Sequence, residues 1–192
     1  MSGEKQANHA KQKLSEKILL HLADCADFGF SYSFTKKLGL SRFPGKALRD
    51  LIKPDEKDFQ DSIAGLKKYK FIQKKKNYDG SVLISLTEKG KLRALNIRFR
   101  RLENRKDVWD GKWRMVAFDI PNEFKKGRDA LRYRMKSGGF YELQESLFLY
   151  PYDCKAEIDD FVELFKLHNC VRFGLLDFID NQERLKIHFR LN

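Results

Sequence analysis

The sequence predicts an α+β protein in two parts, and three observations predict it. Apolar residues recur at helical spacing through much of the first half, a basic β-hairpin closes that half, and the second half alternates strand, helix, strand, strand, helix, strand. The expected boundaries are a flexible tail over 1–13, a helical cluster with a hairpin over 14–90, a linker helix over 91–108 and an α+β unit over 109–192.

Composition limits what such a chain does. Its 192 residues are 42% hydrophobic and 13% aromatic, enough to fill two small cores, which excludes a disordered chain. The net charge is +12, and it is not spread evenly. Residues 1–108 hold 25 Lys and Arg against 13 Asp and Glu, whereas residues 109–192 hold 14 of each. All of the excess positive charge therefore sits in the first part, where it favours a polyanionic partner. Cys25, Cys154 and Cys170 are widely spaced, with no Cys-x-x-Cys pair and no His at ligand spacing, as expected of a reducing cytoplasm. The opening MSGEKQANHAKQK lacks the apolar core of a signal peptide, and no run approaches the roughly 20 apolar residues of a membrane span.

Leu14, Ile18, Leu22 and Cys25 define the stripe of a first helix, widened by Leu19 and Ala26 and ending near Gly29. Phe30 to Phe34 alternates like a short strand, and Pro44 opens a helix running to about Ile52. Lys53-Pro54-Asp55-Glu56 starts the next helix, with Phe59, Ile63 and Leu66 on its inner side up to Lys70. The period then changes to two: Phe71 to Lys75 and Val82 to Leu86 are strands joined by the turn Asn77-Tyr78-Asp79-Gly80. Thr87 caps a further helix. Helix, helix, helix, basic hairpin, helix is the order of a winged helix-turn-helix.

Leu92, Leu95, Phe99 and Leu102 give the linker helix a seam. The seam either packs back on the first helix or pairs with a second chain as a short coiled coil. In the second part, Trp113 to Phe118 is a strand, Pro121 opens a helix with Phe124, Leu131 and Met135 as apolar positions, and Gly138-Gly139 stops it. Phe140–Leu143 and Ser146–Tyr150 are strands, Lys155–Leu167 a helix and Val171–Leu176 a strand. Arg184 to Phe189 alternates as a last strand. The unit is ferredoxin-like, βαββαβ, with one extra strand.

Two stretches resemble known families. Ile63 to Ile72, the hairpin, and Leu86-Thr87-Glu88-Lys89-Gly90 resemble the recognition helix, wing and following helix of bacterial winged-helix regulators. Trp109-Asp110-Gly111-Lys112-Trp113-Arg114 with Met115 to Pro121, continued by Gln144 to Phe148 and the strand from Val171, resembles the middle domain of PaaX-type transcriptional regulators. That domain is itself similar to the CRISPR-associated protein Cas two, so the resemblance implies a Cas-two-like fold that dimerises through its sheets. PaaX proteins continue into a third, carboxy-terminal domain that this sequence lacks, and the resemblance does not extend to an acyl-CoA or phenylacetate-type effector response.

The winged-helix resemblance places the helix from Asp55 to Lys70 toward the major groove, with Lys57, Gln60, Ser62, Lys67 and Lys68 facing or flanking DNA. Lys74, Lys75 and Lys76 on the hairpin reach the backbone or minor groove, and Arg98 and Arg101 of the linker helix also reach phosphate. A lysine run on a hairpin equally serves to keep its edge from pairing with other strands. Asp55, Glu56, Asp58 and Asp61 would repel phosphate in the groove, although acids near a helix start also stabilise it.

Asp119, at the end of the first strand of the second part, carries two readings. Doubled across a dimer axis it would hold Mg²⁺ for phosphodiester hydrolysis, as proposed for nuclease members of the Cas-two family; otherwise it caps the following helix. His9, His21, His168 and His188 form no pair at ligand spacing, and no Walker, G-x-S-x-G or G-x-G-x-x-G pattern is present. The expected function is a DNA-binding transcriptional regulator, a repressor acting as a dimer on double-stranded DNA without a cofactor or assigned effector. The alternative is a Mg²⁺-dependent nuclease using Asp119.

Overall fold

The computed structural model describes residues 2–26, 32–35, 56–76, 78, 81–105 and 107–191. The helix expected from Pro44 to Ile52 and the end expected near Gly29 lie outside them. The chain divides into two compact units, Met1–Ala94 and Leu95–Asn192. Among the described residues, no helix is long and apolar enough to cross a membrane.

Unit 1 begins with α1, Ser2–Ala26. The helix takes in residues 2–13, expected from sequence as a tail, because Glu, Lys, Gln and Ala are good helix formers even without an apolar stripe. Ile18, Leu19 and Leu20 are buried where the stripe begins in earnest. The short strand β1, Tyr32–Thr35, and helix α2, Glu56–Lys68, follow among the described residues. Strands β2, Ile72–Lys76, and β3, Ser81–Leu86, then form an antiparallel hairpin. β1 joins the other side of β3, giving the sheet order β1-β3-β2. Helix α1 packs against α2 and β3, and Phe59, Ile63, Leu66, Ile72 and Leu86 are buried.

One joint holds the hairpin to the next helix, α3, Glu88–Glu103. The Thr87 amide donates to the Phe71 carbonyl at 3.0 Å, and the Thr87 hydroxyl donates to the Lys70 carbonyl at 2.7 Å. That hydroxyl also accepts from the Gly90 amide at 3.1 Å, the cap expected of a threonine before a helix. Gly90 is required here: a Cβ on it would stand 1.9 Å from the Phe71 carbonyl oxygen.

The linker helix expected over 91–108 is thus the continuation of the Thr87-capped helix, and it ends at Glu103. Beyond it, Arg105 bonds to Asp107 and to the Asp153 carbonyl instead of extending the helix. Neither reading of its seam holds for the second half: Leu95, Phe99 and Leu102 lie in the core of unit 2.

Unit 2 is a four-stranded antiparallel sheet in the order β5-β6-β4-β7. Its strands are β4, Trp113–Phe118, β5, Tyr141–Gln144, β6, Leu147–Tyr150, and β7, Val171–Leu176. Helices α4, Lys125–Ser137, and α5, Lys155–Phe165, connect them. Alternation along the strands sends Val116, Phe118, Phe148 and Tyr150 to one face, against Leu131 and Met135 of α4 and Ile158 and Phe161 of α5. Helix α4 ends where Gly139, at φ +79, lets the Gly139 and Phe140 amides reach the carbonyls of Lys136 and Met135. A 3-10 turn, Asn122–Phe124, separates Pro121 from α4, so Phe124 is not an inward position of that helix but is exposed.

The last element corrects the expected strand. Residues Gln182–Phe189 form a helix, α6. A run this short fits both periods, and the helical one wins because Leu185 and Phe189, four apart, cover Trp113 on the other face of the sheet while Ile187 points to solvent. Leu149 is buried in the same cluster, with Tyr141 and Leu176 at its edge. Further along that face Met115, Ala117 and Leu147 are only half-buried, and Leu143 is exposed.

The loop before β4 is held by side chains. Arg114 presents two guanidinium nitrogens to the Asp110 carboxylate, at 2.6 and 2.7 Å, and donates to the Pro151 carbonyl at 2.9 Å. The Trp109 indole donates to the Lys112 carbonyl at 3.0 Å, and Gly111 turns the loop at φ +80. Hydrogen bonding to Arg114 holds the Asp110 carboxyl at about 2.

Gly90→Ala, which would strengthen an isolated helix, lowers the stability of unit 1 by about 1–3 kcal/mol in thermal melts because backbone has to move. The Asp110–Arg114 pair contributes above the ordinary carboxylate range and loses its contribution as the pH falls toward 2. The difference in melting temperature between wild type and Asp110→Asn should therefore close between about pH 5 and pH 2. Because Asp110 is half exposed, the whole effect is no more than about 1 kcal/mol.

Candidate nucleic-acid interface

Helix α2 and strand β2 build the surface that carries most of the expected contacts. The helix buries Phe59, Ser62, Ile63 and Leu66, which leaves Lys57, Gln60, Lys67 and Lys68 exposed on its outer side. At its end Lys70 adopts the left-handed conformation, at φ 59, and the Phe71 amide returns to the Leu66 carbonyl at 2.9 Å. The chain then enters β2 with Ile72 buried and Gln73, Lys74 and Lys75 exposed.

This reversal brings Lys74 of the strand near Lys67 of the helix. Partial burial, and then repulsion from Lys67, lower the Lys74 ammonium below its ordinary value. No carboxylate pairs with either lysine among the described residues. Unpaired lysines exposed on neighbouring elements attract anions.

Four other expected contacts fall differently. Ser62 is buried, and its hydroxyl has no hydrogen-bond partner among the described residues, so it is not part of the exposed surface. It lies three residues from Phe59 and four from Leu66, on the helix's inner face. Arg98 belongs to unit 2, where its largely buried guanidinium pairs with Asp160 of α5. Arg101, also in unit 2, is exposed. The backbone of Lys76 closes β2 opposite Val82, and its side chain lies outside the described residues. Asp55 also lies outside them, as does the Glu56 side chain, whereas Asp61 is exposed on α2 and Asp58 half-exposed.

Exposed residues that spacing did not single out join this surface. Tyr69 is exposed and tilted against Phe71, with ring centroids 6.3 Å apart. Lys89 of α3 donates to the Tyr69 carbonyl at 3.1 Å and lies over the Phe71 ring. Their signal in the sequence was the alternation of aromatic and basic residues from Lys67 to Phe71, which also suits a helix end.

Asp119 stands exposed beyond β4, and its amide donates to the Cys170 carbonyl at 2.8 Å. The capping reading is not realised. The chain is still extended there, the 3-10 turn begins after Pro121, and neither that turn nor α4 has a side-chain cap. Among the described residues no group of three or more His, Cys, Asp or Glu is arranged to hold a metal. His168 pairs with Glu163 at 3.0 Å, and His188 meets the Tyr141 ring edge-on. Burial pushes the Cys154 thiol upward, away from its reactive form.

The comparisons with known proteins bear on unit 2. Residues 106–186 match the family model of the PaaX protein central Cas2-like domain. The PaaX-like match takes in the Asp110–Arg114 loop, all four strands of the sheet and α4 and α5. No curated protein matches the chain.

Proposed function

We propose that this protein is a DNA-binding transcriptional regulator, a repressor that acts as a dimer on double-stranded DNA. The observation that carries the reading is that Lys67 and Lys68 of α2 and Lys74 and Lys75 of β2 are all exposed, in the part of the chain that holds all of its excess positive charge.

A winged-helix reading of unit 1 is supported by the strand order β1-β3-β2, by α2 directly before the hairpin and by the Thr87-capped helix after it. In that reading α2 approaches the major groove, and the lysines of β2 contact the backbone. A ferredoxin-like reading of unit 2 is supported by its four antiparallel strands in the order β5-β6-β4-β7, with a helix in each of the two crossovers. The PaaX-like match favours a regulator over an enzyme. The half-buried row of Met115, Ala117 and Leu147 offers a second copy an apolar surface for pairing, so that two basic units grip two half-sites.

Binding should follow the signature of released counterions. The logarithm of affinity should fall steeply with the logarithm of salt concentration for the wild type, and replacing Lys67, Lys74 and Lys75 together by Ala should make the slope shallower by about 2–3. Fluorescence anisotropy with a labelled duplex reads both slopes. A wild-type affinity that barely responds to salt contradicts the reading.

A further inference from the structure

Unit 2 buries an arginine without giving it a carboxylate. Arg98, Arg114 and Arg132 are set against the acids of Asp160, Asp110 and Glu142. Arg134 of α4 is only 7% exposed, yet no carboxylate pairs with it among the described residues. Its Nη1 donates to the Ala130 carbonyl of its own helix at 2.9 Å, and its Nε is sealed from solvent with no acceptor among the described residues. Nη2 has no acceptor there either, but it is not sealed. The guanidinium lies against α5, its carbon 5.4 Å from the centre of the Phe161 ring and 5.8 Å from that of Phe165. Those two rings stack on each other with centroids 4.3 Å apart.

Packing alone does not account for this residue. A cation over an aromatic face recovers part of the hydration lost on burial, but Leu or Met against the same rings would leave no charge unmet. Burial lowers the guanidinium below its ordinary value, opposed only by Tyr133, so no neighbouring acid compensates it and no second cation stands beside it. An unmet guanidinium with a nitrogen at the surface takes an oxyanion. The lack of a second cation suits a single negative charge, and the half-buried ring of Phe165 suits an apolar body beside that charge. Both describe a carboxylate. We propose that Arg134 anchors a site for a small carboxylate ligand, whose oxygen accepts from Nη2 while its alkyl body lies on the Phe165 ring. The site lies within unit 2 and is independent of DNA binding by unit 1.

Thermal melts of wild type and Arg134→Leu in sodium acetate, sodium phosphate and sodium chloride at equal ionic strength test the site. Both tryptophans, Trp109 and Trp113, lie in unit 2, so their fluorescence reads its unfolding. Acetate in place of chloride should raise the melting temperature of the wild type saturably, by about 2–5 °C more than that of Arg134→Leu. Phosphate should separate the two proteins less than acetate does. In chloride, Arg134→Leu should melt no lower than wild type, because an apolar side chain replaces an unmet charge. Equal responses of the two proteins to acetate would place the anion elsewhere on the surface and overturn the site. If Arg134→Leu melts below wild type in chloride, the rings hold the guanidinium as part of the core and the argument for a ligand fails. A phosphate effect as large as that of acetate overturns the carboxylate assignment.

Discussion

The carbonyl of Phe71 is where three elements of unit 1 are tied together. It accepts from the Thr87 amide at 3.0 Å, lies 3.2 Å from the Thr87 hydroxyl, and occupies the space that a side chain on Gly90 would need. The end of α2, the base of β2 and the first turn of α3 are therefore fixed relative to one another by one peptide group. The turn from helix to strand is closed as well by the Lys70 amide on the Lys67 carbonyl and the Phe71 amide on the Leu66 carbonyl, each at 2.9 Å. The Leu86 to Gly90 segment owes its composition to this joint, with Thr supplying the cap and Gly the close approach.

A parallel constraint organises unit 2. The residues that make its sequence recognisable, Trp109 to Arg114, form a loop clamped by the two-pronged Arg114–Asp110 contact and by the Trp109 indole. Arg114 also reaches the Pro151 carbonyl, which ties the start of β4 to the end of β6. The stretch that opens the PaaX-like resemblance is thus a device of folding and contains none of the expected DNA contacts. It specifies how the sheet is built, whereas the charged surface that suggests a partner is made by residues elsewhere in the chain.

How much of this was legible follows from which physical signals act locally. Phe59, Ile63 and Leu66, the β2–β3 hairpin, the Thr87 cap and the strand–helix order of unit 2 were all readable, because periodicity and capping are local. Arg184 to Phe189 was not: its alternation fits a strand, and only Trp113, distant in sequence, selects the helical pair Leu185 and Phe189. The destination of Leu95, Phe99 and Leu102 was hidden for the same reason, since a seam records that something covers it without saying what. Among the candidate contacts, residue type suggested Ser62 and Arg98, and position removed them: one lies on the inner face of α2, and the other is paired with Asp160. The nearness of Lys67 and Lys74 required knowing how the chain reverses at Lys70.

The central claim is that this basic surface holds duplex DNA without cutting it. The most direct measurement incubates the wild-type protein with labelled duplex from its own promoter region, with and without Mg²⁺, on a gel that resolves both shifted complexes and fragments. The account predicts a shift that survives excess unrelated competitor DNA, with intact DNA under both conditions. Cleavage that requires Mg²⁺ and is lost in Asp119→Ala would contradict it, and so would the absence of any shift.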